Sequence, residues 1–252
     1  MVMKSVLQAK RNGLLLLVIL LLLIAPMTLL VSHIELLSPE SDFEGATFTI
    51  LTNSAGSSGF LVTLAVLAIA AFTLKMTPKQ QLSKVIQLGV ILLVGFAAKT
   101  GLKHLTESPR PYTEVLSHQL LVPNPAHFYQ LSAAQQESVI NKVSENVSHW
   151  RTQHWMGETD YSFPSGHTIF AAICVVFFGG LFLDHKRYAL AATLMVWAIG
   201  VAYSRLWLGM HRPIDLIGSV LFVALVYALL PSMEGLSEKI GNVLNLNKRC
   251  FY

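Results

Sequence analysis

Two histidines, one aspartate and three cations are the residues of this 252-residue chain whose types and spacing could do chemistry. They fall in three short stretches: KHLTESPRP with Lys103 and Arg110, PSGH with Ser165, Gly166 and His167, and SRLWLGMHRPID with Ser204, Arg205, His211 and Asp215. Lys103, Arg110 and Arg205 together suit a phosphate group, arginine offering a bidentate fork and lysine a point charge. Ser165 and Gly166 open an apolar run, where free helix N–H groups and the dipole favour an anion. Gly166 also lets the backbone come close to a ligand. His211 and Asp215 are four residues apart, so one helical face can bring them together. The carboxylate would then fix the imidazole tautomer and stabilise the imidazolium, and Pro213 between them is tolerated in a first helical turn. Two histidines at a phosphate suggest divided labour, one attacking phosphorus and the other protonating the departing oxygen. On chemistry alone either histidine suits either role.

Taken singly, each residue has a plainer reading. The cations could be flank residues that snorkel, the histidines interfacial caps, and Asp215 a helix-start residue held by the dipole. Convergence at one membrane boundary, where ionisable groups are costly, favours function. His167, His211 and Asp215 could in principle bind zinc, but three neighbouring cations oppose it, so no metal and no other cofactor is expected.

The elements that must position these residues are apolar. The chain is 53% hydrophobic and only 13% charged, about half the charge of an average soluble domain. Its net charge of +4 therefore fits a membrane better than nucleic acid. Cys174, inside an apolar run, and Cys250, in the tail, make no disulfide framework. Six stretches are apolar and long enough to span: Leu14–Val31, Gly59–Met76, Val85–Leu102, His167–Leu183, Tyr188–Tyr203 and Ile214–Leu230. The first follows Lys4, Lys10 and Arg11 like a signal peptide, but no small-residue cleavage site follows Ala25-Pro26, so it reads as a retained helix.

Lysine and arginine set the orientation. With the N-terminus inside, the inner segments hold eleven, among them Lys75, Lys79, Lys84, Lys186 and Arg187. The outer segments hold seven over much more chain, and the first outer loop, near residues 32 to 58, holds none. Both termini are therefore expected inside, and all three polar stretches at the outer face. Residues 103–166 form the one sizeable outer loop and 231–252 a cytoplasmic tail. Within the loop Val139, Ile140, Val143, Val147 and Trp150 follow helical spacing, as a helix on the membrane surface or one packed on the loop would. The sequon Asn146-Val147-Ser148 is too short to carry weight.

The three stretches resemble the type 2 phosphatidic acid phosphatase family, whose pattern reads K-x6-RP, PSGH and SR-x5-H-x3-D; every signature position is present here, in order. VPNPAHFYQL, ETDYSFPSGHT and VWAIGVAYSRLWLGMHRPIDL are similar to bacterial inner-membrane members of that family. The resemblance implies an all-α polytopic fold, one membrane-embedded domain over 1–252. It implies a lipid phosphatase acting on phosphatidylglycerophosphate, undecaprenyl diphosphate, phosphatidic acid and lysophosphatidic acid. It assigns His211 as a nucleophile forming a phosphohistidine, Asp215 as its orienting partner and His167 as general acid. Lys103, Arg110, Ser165, Gly166 and Arg205 would hold the phosphate, without metal. Its partners would be lipid substrates and the bilayer, with no nucleic acid and no obligate protein partner. A lipid phosphotransferase using the same phosphohistidine is the alternative, and a non-enzymatic bundle a further one. A site at the outer helix ends also predicts an apolar opening between helices toward lipid.

Overall fold

The computed structural model of the protein describes residues 10–31, 34–231, 233 and 235–238, and among them there are helices and no strands. Capping residues set most helix starts. Helix α1, Arg11–Ile24, stops at Pro26, whose ring cannot continue it, and resumes as the short α2, Met27–Val31. Ser41 and Glu44 form a reciprocal capping box that starts α3, Asp42–Ala55. After a turn over Gly56–Gly59 comes α4, Phe60–Phe72, bent by 72° from α3. Thr77 and Gln80 box the start of the 29-residue α5, Pro78–Thr106, with Pro78 in its first turn. The segment after α5 carries α6 (Tyr112–His118), a 3₁₀ turn over Pro125–Gln130, α7 (Ala133–Val143) and α8 (His149–Gly157). Ser165 caps α9, which runs from Gly166 to Asp184 with one wider π turn at Val175–Gly179. Helix α10 is Tyr188–Trp207 and α11 is Pro213–Leu229, where Asp215 accepts from the Arg212 backbone N–H.

Helix α9 is the axis of the bundle. Its apolar stretch is 83% buried, against 17% for α5 and 50% for α10. Phe170, Ile173, Val176 and Phe178 lie inside the main apolar cluster, with α1, α3, α5, α10 and α11 packed around them. Lipid competes equally for apolar side chains, so close packing rather than water exclusion holds such helices together. Small residues permit that closeness: a Cβ added to Gly180 on α9 would lie 3.0 Å from the Gly13 Cα on α1.

The expected span boundaries need correction. Four helices among the described residues are long and apolar enough to cross a membrane: Arg11–Val31, α5, α9 and α10. The bent pair α3–α4 supplies a fifth if counted as one span, and α11, at 17 residues, is a shorter apolar helix. The second expected span, Gly59–Met76, is helical only over Phe60–Phe72, about 20 Å long. Its other arm, α3, lies in the stretch read as an outer loop, because Asp42, Glu44, Thr47 and Asn53 hide the helical pattern. Helix α5 starts seven residues before the expected Val85, since Lys79 and Lys84 interrupt the apolar run but not the helix.

The segment between α5 and α9 is a folded cap with a core of its own. Tyr112, Phe128, Ile140, Val143 and Trp155 are buried together with Trp207 and Met210 from the end of α10. The 139–150 pattern is not one helix, since α7 ends at Val143 and Trp150 belongs to α8, and its apolar residues pack on the loop: Ile140 and Val143 are fully buried. The Arg151 guanidinium pins this cap to the segment between α2 and α3, pairing with Glu40 and donating to the Glu35 and Leu36 carbonyls at 3.0 and 2.9 Å.

Candidate active site

The end of α5, the start of α9, the end of α10 and the start of α11 meet beneath the cap. They bring the residues singled out in the sequence into one region except for the hydroxyls of Ser204, which donates to the Val201 carbonyl at 2.7 Å, and of Ser165, both spent on structure. The Ser165 hydroxyl accepts from the Thr168 N–H and hydroxyl at 3.3 and 3.0 Å, and its own backbone N–H donates to Ser219 Oγ at 2.9 Å. Ser165 therefore sets the entry angle of α9, and so the position of Gly166 and His167.

His211 sits on the turn between α10 and α11, with 2% of its surface exposed. Arg110 Nη1 lies 3.2 Å from the Met210 carbonyl and 3.5 Å from His211 Nε2. An arginine only donates, so this pattern assigns the imidazole lone pair to Nε2 and its proton to Nδ1. Nδ1 in turn faces Asp215 Oδ2 at 3.4 Å and Ser162 Oγ at 3.3 Å. Ser162, which is buried, donates to Asp215 Oδ2 and so links the two. Burial, then the charges of Arg110 and Arg205, hold the His211 imidazole well below its ordinary pKa. It is neutral at pH 7, as a nitrogen nucleophile must be.

The cations are already engaged, and by residues that sequence reasoning missed. Glu158 and Asp160, on the segment leading from α8 to α9, stand among them. Arg205 Nη2 meets Glu158 Oε2 at 2.7 Å, and Arg110 Nη2 meets the same oxygen at 3.3 Å. Arg110 also pairs with the Asp160 carboxylate and donates from Nε to its carbonyl at 2.7 Å. Lys103 Nζ lies 3.0 Å from Asp160 Oδ2 and donates to the Tyr161 carbonyl. His167 Nε2 is 3.8 Å from Glu158 Oε1. Burial raises the Glu158 carboxyl, but Arg205 and Arg110 outweigh it and hold the group well below the usual carboxylate range. Asp160 is lowered likewise: burial raises it, while Arg110 and Lys103 prevail. The one signal in the sequence was an acidic pair seven and nine residues before His167, on a loop beside three cations.

Two buried polar atoms at this site have no partner, Arg205 Nε and Asp215 Oδ1. The other Arg205 arm donates to Thr52 Oγ1 at 2.6 Å, which ties the site to α3. An unpartnered buried guanidinium N–H costs free energy until an acceptor arrives.

A cavity of about 600 Å³ opens on these groups. Its polar end holds Lys103, Arg110, Glu158, Asp160, His167 and His211. The other end is lined by Ala55 of α3, Phe60 of α4, and Phe96 and Thr100 of α5. Two more residues belong here. A Cβ on Gly166 would meet the Lys99 side chain at 2.9 Å, so Lys99 lies across that glycine. A Cβ on Gly56, at the α3–α4 bend, would fall 2.8 Å from His167 Nε2. The bend places bare backbone against the histidine.

The arrangement thus offers a neutral imidazole nitrogen, a second histidine and three cations that hold two oxyanions. A family model described as the PAP2 superfamily matches residues 84–237. Phosphatidylglycerophosphatase B of Haemophilus influenzae is 32% identical over 189 residues, covering 72% of this chain and 78% of that protein. The protein of the same name from Escherichia coli K12 is 35% identical over 156 residues, covering 61% of this chain and 60% of its own length.

Proposed function

Since this chain belongs to the PAP2 superfamily, and is a phosphatase by that kinship, we propose that it hydrolyses lipid phosphates through a phosphohistidine, without metal. The substrates are phosphatidylglycerophosphate, undecaprenyl diphosphate, and phosphatidic and lysophosphatidic acid. The observation that carries this reading is the trio Lys103, Arg110 and Arg205 converging on two carboxylates beside His211 Nε2. A phosphate presents similar oxygens with comparable charge, so it can replace those carboxylates on the same donors.

In the proposed sequence, the headgroup enters through the apolar opening while the lipid tails stay in hydrocarbon. Lys103, Arg110 and Arg205, with the N–H groups that open α9, take up the non-bridging oxygens. His211 Nε2 attacks phosphorus with its lone pair, and the bond from phosphorus to the lipid oxygen breaks. His167 gives that oxygen a proton. Asp215 stabilises the positive ring that the attack creates, and Ser162 holds Asp215 and Nδ1 in register. Water then attacks the phosphohistidine, passing a proton to His167, and the P–N bond breaks to release inorganic phosphate. Phosphoryl transfer depends mainly on positioning and charge stabilisation, which these helix ends supply.

We read the chain as one inner-membrane domain over 1–252, with α3–α4 and α11 completing six spans, both termini cytoplasmic and the site periplasmic. The excess of Lys and Arg in the segments assigned to the inside supports that orientation. An outward site suits undecaprenyl diphosphate directly, since that carrier's diphosphate is left facing outward.

The test is phosphate release from undecaprenyl diphosphate and phosphatidylglycerophosphate in detergent with EDTA, for wild type and His211→Ala. Wild type should release phosphate from both, and the substitution should lower the rate by about a thousandfold or more. Activity that survives His211→Ala would overturn the nucleophile assignment, and activity abolished by EDTA the metal-free one.

A further inference from the structure

A second built cavity lies at the opposite end of the bundle. It has a volume of about 710 Å³ and is lined by Lys10, Lys75, Lys79 and Lys84, against two carboxylates, Asp184 and Glu238. Glu238 pairs with Lys79 inside the cavity and Asp184 accepts from Asn12 Nδ2 at 2.7 Å, so lysines outnumber carboxylates here by two. Lys10, 5% exposed, closes the floor by donating to the Tyr227, Ala228 and Leu230 carbonyls at the end of α11. Burial lowers the Lys10 ammonium, and the nearby charge of Lys84 lowers it further. Gln80 and Ser83 add neutral hydrogen-bonding groups to the wall. This end is far from the active site: the nineteen residues from Lys84 to Lys103 on α5 rise about 29 Å, the thickness of a bilayer's hydrocarbon core.

The cationic cavity does not stand alone. An apolar groove lined by Phe72, Val85, Leu88 and Phe177 runs beside it and shares Met76, Lys84 and Leu181 with it. Lysines that merely set topology need to lie near span ends and nothing more. Here they line a cavity whose wall continues into a furrow between α4, α5 and α9. Charge at one end and hydrocarbon at the other match one chemistry, an anionic phospholipid of the leaflet opposite the active site.

We propose that this cavity and groove hold one anionic phospholipid, its phosphate headgroup among Lys75, Lys84 and Gln80 and an acyl chain along Phe72, Val85 and Leu88. The lipid bridges α1, α4, α5 and α9 at the end where the capping segment of the outer face is absent. It is a resident lipid, not a substrate, because the histidines lie a membrane's width away.

Photo-crosslinking tests this with the full chain in phosphatidylcholine nanodiscs, doped with phosphatidylglycerol or phosphatidylcholine carrying a diazirine in one acyl chain. Peptide mapping separates this site from the active-site opening, since the two mark different segments, 68–88 and 177–181 against 55–60 and 96–100. Labelled phosphatidylglycerol should mark the first pair about tenfold more than labelled phosphatidylcholine. Lys75→Ala with Lys84→Ala should remove that preference while leaving phosphatase activity in detergent unchanged, which reports that the variant folds. Equal marking by both lipids, or a preference that persists in the double variant, would overturn the proposal. So would loss of marking with millimolar glycerol phosphate, which would make the cavity a site for soluble anions.

Discussion

His211 has its two nitrogens divided between two neighbours, and the division sets how its reactivity depends on pH. Nε2 faces the Arg110 guanidinium at 3.5 Å and Nδ1 faces Asp215 Oδ2 at 3.4 Å. Burial and the Arg110 charge keep the ring neutral, so the acid limb of kcat/KM that His211 sets should lie below the ordinary histidine range near 6.5. Protonation there removes the attacking lone pair, and the slope belongs to the free enzyme. Arg110→Gln removes one of the charges that depress His211, so the acid limb should move to higher pH even as the rate drops. An unmoved limb would mean another group controls it. Ser162→Ala should lower kcat by about tenfold with KM little changed, since the hydroxyl touches His211 and Asp215 rather than the phosphate cations. Most of this site was legible because histidine, arginine and aspartate are costly at a membrane boundary and so call for an explanation. Ser162, Glu158 and Asp160 were not, because serine and carboxylates on an exterior loop need none. Only the fold, which lays that loop across the cations, gives them one.

At the scale of the helix, the strongest constraint is how closely α1 approaches α9. Gly13 and Gly180 let the two backbones nearly touch. Gly180→Leu should push them apart and destabilise the protein by about 1–3 kcal/mol, read as a lower thermal midpoint in detergent. A wild-type midpoint would show that the pair can separate at no cost. Gly56 acts more locally: Gly56→Leu would press a side chain on His167 and should abolish activity while the midpoint holds. Helices rich in leucine and valine were readable from the chain, since a long apolar run has few alternatives. Helix α3 was not, because half its residues are polar and its packing, chiefly against α10, is what shows why it is helical. The 139–150 stretch illustrates the same limit: its spacing suggested one helix, but α7 ends at Val143 and α8 begins at His149, and only the surrounding cap decided what the apolar residues meet.

For the whole molecule, the cavity joins a polar end under the cap to an apolar end lined by α3, α4 and α5. In the proposed function a lipid is thus read at its headgroup without leaving the leaflet. Thr100→Trp should narrow the apolar end. KM for a long-chain phosphatidic acid should rise by about tenfold, while a short-chain water-soluble phosphate ester should be turned over nearly as before. Equal effects on both would place the entry path elsewhere. The sidedness of the charge pattern already set the three polar stretches at one face, but not the 72° bend between α3 and α4. That bend depends on a Gly-Ser-Ser-Gly turn whose angle no local preference fixes.

In the proposed reaction Glu158 and Asp160 also act as an admission rule. A bilayer is made mostly of phosphodiesters, whose headgroup phosphate carries one negative charge, and these vastly outnumber any monoester. With two internal carboxylates already seated on Lys103, Arg110 and Arg205, a ligand enters only by winning an exchange. A monoester dianion or a diphosphate brings enough charge and enough oxygens to do so, and a single-charge diester brings less than it must displace. In the proposed reaction, selectivity against the surrounding lipids thus begins before any bond is made.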